Sequence, residues 1–168
     1  MTFAVRFSAA LLLAGLALVS VSNNGFAQGE PWFFDTYVDP MTDNVHAFAG
    51  STLSDGATIG FFCEKGNPVS EFIVQVKTRE FDLLPAGITK VAWRIDNGPA
   101  HEEIWGTSPT AKGEGVMNFG ESGYEFARAA AVAQDRIVFR NRNGIVIFGA
   151  KGSTISIAQL AEFCDLPR

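Results

Sequence analysis

The sequence predicts a single α+β domain with a mainly antiparallel, strongly twisted β-sheet, two packed helices and one disulfide. Two observations lead to this fold class. Short segments of alternating apolar and polar residues are separated by turn-forming residues, which is typical of antiparallel strands. Two later segments begin with capping-box patterns, which predict helices. A sandwich and a partial barrel both stay open as the form of the sheet.

The first half of the chain predicts four strands. Apolar and aromatic residues fill positions 32–37 and 45–51, and the Asp, Pro and Asn residues between them favour a turn. Positions 58–64 and 69–78 predict a hairpin through a Lys-Gly-Asn-Pro turn. Its second strand alternates apolar with polar side chains, so one face is expected to be buried.

Two further hairpins are predicted downstream. Lys90–Asp96 pairs with His101–Thr107 through an Asn-Gly-Pro-Ala turn, and Arg136–Arg142 pairs with Ile145–Ala150 through Asn-Gly, the strongest two-residue turn signal in the chain. Thr107–Gly115 is rich in turn formers and poor in apolar residues, which predicts an exposed loop.

Both helices are predicted from their first residues. Ser122–Glu125 reads as a capping box that opens an Ala-rich helix to about Ala133, and Ser156–Gln159 reads as a second that opens the last helix. One face of the last helix is expected to pack on the sheet, since apolar residues recur there at helical spacing: Ile157, Leu160, Ala161 and Cys164.

The first 27 residues predict an export signal. Arg6 is the only charge before an apolar run from Phe7 to Val21, and small residues follow at Gly25–Ala27. Cleavage after Ala27 would leave one domain, residues 28–168, in the periplasm or the medium. No second apolar stretch of that kind occurs, so no membrane span is expected after cleavage.

Charge and missing motifs narrow the function classes. Without the signal, 12 basic residues stand against 18 acidic ones, and a net charge of −6 disfavours nucleic acid as a partner. The sequence has no phosphate-binding loop, no serine-hydrolase elbow and no zinc-protease motif, and it holds two His residues. We therefore expect no cofactor, no metal and no catalytic site of a familiar type.

Cys63 and Cys164 are the two cysteines. In an oxidising compartment such a pair usually forms a disulfide, whereas the alternative is two free thiols with one of them catalytic. Their spacing is unlike C-x-x-C and neither has a basic neighbour, so the sequence favours the structural bond.

A row of arginines is the binding patch that the sequence favours most. Arg136, Arg140 and Arg142 share one face of a predicted strand with Val138. Such a row could receive carboxylates or a sulfated glycan. The competing interpretation is a solvated strand face whose charge protects the sheet from aggregation.

The densest titratable cluster is His101–Glu103, with Asp96 just across the turn, and it could supply an acid and a base or bind a metal. The competing interpretation is a charged hairpin end, in which Asp96 faces His101 and Arg94 faces Glu103 across the strands.

Two other groups have a structural and a functional interpretation. Asp39, Asp43 and Asn44 carry oxygens that suit calcium, but an Asp-Pro turn explains them equally well. Three tryptophans could form a sugar platform, although core packing is the commoner role: Trp32, Trp93 and Trp105.

These features together resemble the VasI-like family of secreted proteins encoded beside type VI secretion systems. The resemblance rests on Trp32, Asp39–Asp43, Cys63 on a strand, Val91–Gly98 followed by Trp105, and Cys164 after a late strand and helix. It implies an accessory envelope protein with one disulfide. The family brings no established catalytic residues to this chain.

The sequence thus favours an exported accessory or binding module that acts through protein contacts. Two alternatives stand beside it. A secreted inhibitor of an envelope hydrolase would use the Thr107–Gly115 loop, and an uncharacterised hydrolase would use Asp96, His101 and Glu103.

Overall fold

The computed structural model describes residues 31–77, 87–110, 113–141 and 144–167, so the predicted export signal lies outside the described residues. The described elements are nine strands and two helices: β1 Phe33–Val38, β2 Val45–Thr52, β3 Thr58–Glu64, β4 Ile73–Lys77, β5 Ile88–Ile95, β6 His101–Thr110, β7 Gly113–Phe119, α1 Gly120–Ala131, β8 Arg136–Asn141, β9 Gly144–Gly149 and α2 Ser153–Phe163. The predicted strand at positions 69–78 begins later than expected, because Val69–Glu71 forms a 3-10 turn that leads into β4 at Ile73.

The strands form one open antiparallel sheet in the order β1-β2-β3-β4-β7-β6-β5-β8-β9. Each neighbouring pair is antiparallel. The predicted fold class is therefore confirmed, with β1 and β9 as the two edge strands.

The sheet curves around α1. The Phe126 ring lies 5.8 Å from the Phe61 ring of β3 and 4.8 Å from the Trp93 ring of β5, measured between centroids. Four strand spacings, about 19 Å in a flat sheet, separate these two strands. The two edges of the sheet also come into contact at one end. Trp32, the residue before β1, donates its indole N–H to the carbonyl of Gly149, the last residue of β9, at 2.8 Å. One curved sheet corresponds to a partial barrel rather than a sandwich.

The core lies between the sheet's inner face and the two helices. Its largest fully buried side chains are Trp105, Phe61, Phe72, Phe126, Phe139 and Phe148. Each such aromatic side chain contributes about 1.5–3 kcal/mol when it leaves water. No described helix covers the sheet's outer face, which carries the alternate residues of each strand.

The Cys63–Cys164 disulfide is confirmed and fastens α2 to β3, with the two Cα atoms 6.3 Å apart. Cys63 lies on the inner face of the strand, and Cys164 caps the carboxyl end of α2. Ile157 and Leu160 are buried as the helical spacing predicted.

The predicted exposed loop at Thr107–Gly115 is wrong. β6 runs to Thr110 and β7 begins at Gly113, with Thr107 paired to Val116 and Thr110 to Gly113. Asn118 is a polar residue at an inward-facing position of β7, so it breaks the apolar–polar alternation that would predict this strand. Pro109 has no backbone N–H to donate. β6 tolerates it because the pairing of β6 with β5 ends at Gly106, before Pro109.

Both predicted capping boxes are wrong as helix starts. α1 begins at Gly120, whose φ of 66° suits glycine and whose N–H donates to the Phe72 carbonyl. The Ser122 hydroxyl is bonded elsewhere, to the Glu103 carboxylate. α2 begins at Ser153 after a left-handed Gly152, so Ser156 already lies one turn inside the helix.

The last hairpin is confirmed, with a small change at its turn. Gly144 belongs to β9 and pairs with Asn141, so the turn itself is residues 142–143, outside the described residues.

Candidate functional site

The β5–β6 hairpin has a different register from the predicted one. Trp93 pairs with His101, and Val91 pairs with Glu103. The pairing of β5 with β6 ends at Trp93, whereas β5 continues beside β8 to Ile95, and Asp96 then adopts a left-handed φ of 50°. The predicted pairs of Asp96 with His101 and Arg94 with Glu103 are therefore wrong.

This register places Glu103 on the inner face, where its carboxylate accepts four hydrogen bonds. Trp93 and Trp105 each donate an indole N–H at 2.8 Å. The Ser122 hydroxyl donates at 2.9 Å and the Asn118 amide at 3.0 Å. The carboxylate thereby joins β5, β6, β7 and α1, which is a structural task.

The other two residues of the predicted hydrolase site, Asp96 and His101, have different partners from those of Glu103. The Asp96 carboxylate accepts the backbone N–H groups of Gln134, Asp135 and Arg136, and the bond from Arg136 contributes most to lowering its pKa. The His101 ring stacks on Trp93 with 4.1 Å between centroids. Among the described contacts, no hydrogen bond or ion pair joins any two of the three carboxylate and imidazole groups.

The Asp39–Asn44 segment is a tight turn. The Asp39 carboxylate accepts the Met41 N–H at 2.7 Å, and the Asn44 amide donates to Glu64 at 2.9 Å. Over the described ranges, His, Cys, Asp and Glu side chains form no group of three placed to hold a metal. The three tryptophans are all core residues, as the competing interpretation held: Trp32, Trp93 and Trp105.

The predicted arginine row is divided by its surroundings. Arg136 donates to the Asn97 amide oxygen at 2.8 Å and lies 3.7 Å from Asp135, so its guanidinium is engaged. Arg140 lies on the outer face between Ala92 and Ile145, with 56% of its side chain exposed. Arg142 lies outside the described residues.

A groove of about 240 Å³ crosses the outer face of β5, β8 and β9 beside Arg140. Arg94, which sequence reasoning left out of the binding patch, contributes the second guanidinium of this groove because it pairs with Val138 of β8. The other residues that line the groove are apolar: Ala92, Trp93, Ala100, Val138 and Ile145. We call this feature the Arg94–Arg140 groove.

The charge at the groove is basic, although the chain as a whole is acidic. Glu102 lies 2.7 Å from the Lys90 amine and 3.9 Å from the Arg140 guanidinium. The hydrogen bond from Lys90 holds the pKa of Glu102 below its usual value. No described acid pairs with Arg94, and the residues that line the groove include two arginines and no acid, so the Arg94 guanidinium is open to a ligand.

Searches against protein-family models, curated proteins and solved structures found no match to this chain. Neither described helix is long and apolar enough to span a bilayer.

Proposed function

We propose that the protein is an exported binding module that holds a carboxylate of a partner protein in the Arg94–Arg140 groove. The observation that carries this proposal is that two arginines, Arg94 and Arg140, line one groove together with apolar residues, on a sheet face that no described helix covers. Guanidinium groups receive carboxylates through two parallel hydrogen bonds, which gives both strength and orientation.

The apolar lining of the groove favours a protein carboxylate over a sulfated glycan. Ala92 and Val138 offer surface to the methylene groups of an acidic side chain or to an apolar neighbour. A sulfated polysaccharide has few such groups. The net charge of −6 on the mature chain would also repel a polyanion along its length, so attraction is confined to the groove.

Export and an envelope role are part of the same proposal. The amino-terminal pattern supports removal of residues 1–27, and a disulfide suits the oxidising periplasm or medium. Membership of the VasI-like family, as an accessory envelope protein, is proposed on the residue pattern given above. The inhibitor alternative required an exposed loop at Thr107–Gly115, and that prediction is wrong. The hydrolase alternative required Asp96, His101 and Glu103 to act together, and no described hydrogen bond or ion pair joins them.

Capture of the partner tests the groove. A tagged chain would be crosslinked in cells and the captured proteins quantified for wild type, for Arg94→Gln with Arg140→Gln, and for Arg128→Gln as the matched control. Arg128 is an exposed arginine on α1. We expect the double variant to lose about tenfold of the capture, since hydrogen bonds between a guanidinium and a carboxylate are worth on the order of 1.5–3 kcal/mol.

The control should capture as much as wild type. Equal capture by the double variant and wild type, or equal losses in the double variant and the control, would show that the groove does not bind the partner.

A further inference from the structure

The edge strand β9 lacks the features that usually protect a sheet edge. All six of its residues, Gly144–Gly149, are glycine or apolar. The opposite edge strand, β1, carries Asp35 in its middle and is flanked by Pro31 and Pro40. Charged side chains and prolines block pairing with another chain, and an uncharged apolar edge invites it.

The hydrogen bonds show which backbone groups of β9 face outward. The Gly149 carbonyl points away from β8, because it accepts the Trp32 indole N–H. Outward and inward groups alternate along an antiparallel strand, so the N–H and C=O of Ile145 and Ile147 also point outward. Among the described residues these four groups have no hydrogen-bond partner.

We propose that β9 pairs with β9 of a second copy of this chain, antiparallel and about a two-fold axis at Val146. In this register Ile145 of one copy opposes Ile147 of the other, and the two residues exchange their hydrogen bonds. The register uses all four open groups and leaves the Gly149 carbonyl with Trp32. A two-fold contact of this kind closes at a dimer.

The side chains of such a pair complement one another. On the outer face, Ile145, which is 64% exposed in one copy, would be covered by Ile147 of the second copy. On the inner face Phe148 would oppose Gly144, so its large ring would face a residue that has no side chain. The two copies of Arg140 would lie about 14 Å apart across three strand spacings, which exceeds the Debye length of about 10 Å.

The self-complementary register is what favours a second copy over an unrelated peptide. An unrelated strand would need its own apolar alternation in phase with Ile145 and Ile147. A second copy supplies it automatically, and Arg140, which pairs with Ile145, stays clear of its counterpart. Because the contact is one short strand, we expect a dissociation constant of about 10 µM or weaker.

Sedimentation of the oxidised chain, residues 28–168, from about 1 µM to 1 mM tests the proposal. We expect a dimer that forms with concentration, is abolished by Ile145→Lys and is unaffected by Ile104→Lys. The two isoleucines are matched, since both lie on the outer face and are 64% and 60% exposed, but Ile104 is on the internal strand β6. Circular dichroism would show that both variants fold.

Val146→Cys tests the register itself. Val146 would directly oppose its own copy, so the variant should form a symmetric disulfide-linked dimer, whereas Ile145→Cys should not. A monomer at every concentration, a dimer that survives Ile145→Lys, or a monomer that instead binds an added strand peptide would overturn the proposal. The Arg94→Gln and Arg140→Gln variant should still dimerise, which separates this result from the groove experiment.

Discussion

Glu103 illustrates how one carboxylate can fix the position of several elements. Its four donors come from Trp93 on β5, Trp105 on its own strand, Asn118 on β7 and Ser122 on α1. Indole N–H groups that leave water need an acceptor, and these two share one. The side chain therefore holds the first turn of α1 against three strands.

Removing that carboxylate should cost stability. We expect Glu103→Ala to lower the free energy of unfolding by about 1–3 kcal/mol, because four donors would lose their acceptor. Glu103→Gln keeps one acceptor oxygen and should cost less. Urea unfolding followed by tryptophan fluorescence would measure both, and an unchanged midpoint in Glu103→Ala would contradict the structural role.

Asp96 should make stability depend on acid pH. Three backbone N–H bonds hold its folded-state pKa below the usual 3.8, so its contribution is complete above about pH 4 and is lost as pH falls through the lowered value. Asn tolerates the same left-handed backbone but cannot titrate. Asp96→Asn should therefore flatten the fall in unfolding free energy below pH 4, and identical acid profiles would contradict this.

One of the two groove arginines, Arg140, is predictable from the sequence. Arg140 was predicted to lie on an exposed strand face, and it does. Arg94 was assigned to a hairpin ion pair instead, because alternation shows which face a residue occupies but not which strand lies beside it. That neighbour is β8, about 40 residues away along the chain, and only the folded sheet reveals it.

At the scale of elements, local pattern predicted the strands with clean alternation. β3 was predicted with its observed bounds, and most of the other predicted strands end within one or two residues of the observed ones. β7 was missed because Asn118, an inward-facing residue, breaks the apolar pattern in order to reach Glu103. The helix starts were displaced because glycine backbone geometry, rather than a capping side chain, begins both helices.

The disulfide should account for much of the attachment of α2. It closes a 101-residue separation, for which chain entropy gives an upper bound of about 4.7 kcal/mol. We expect the double variant Cys63→Ala and Cys164→Ala to unfold at a markedly lower urea concentration than the oxidised wild type. Reduced wild type should match the variant. Coincident curves for oxidised and reduced protein would rule out a stabilising crosslink.

At the scale of the whole molecule, the two faces of the sheet have different tasks. The inner face and both helices form a single core that the disulfide and the Trp32–Gly149 bond hold together. The outer face holds the Arg94–Arg140 groove, and the edge strand β9 forms one border of that face. A rigid scaffold that presents one uncovered face suits a module that binds another protein.

Site-specific crosslinking tests most directly whether that face binds a partner. A photo-reactive residue would replace Ala100, an exposed residue that lines the groove, or Gln159, an exposed residue of α2. We predict that one envelope or secreted protein is captured from position 100 and not from position 159, and that Arg94→Gln with Arg140→Gln abolishes the capture. Equal yields from the two positions, or no capture from position 100, would contradict the account.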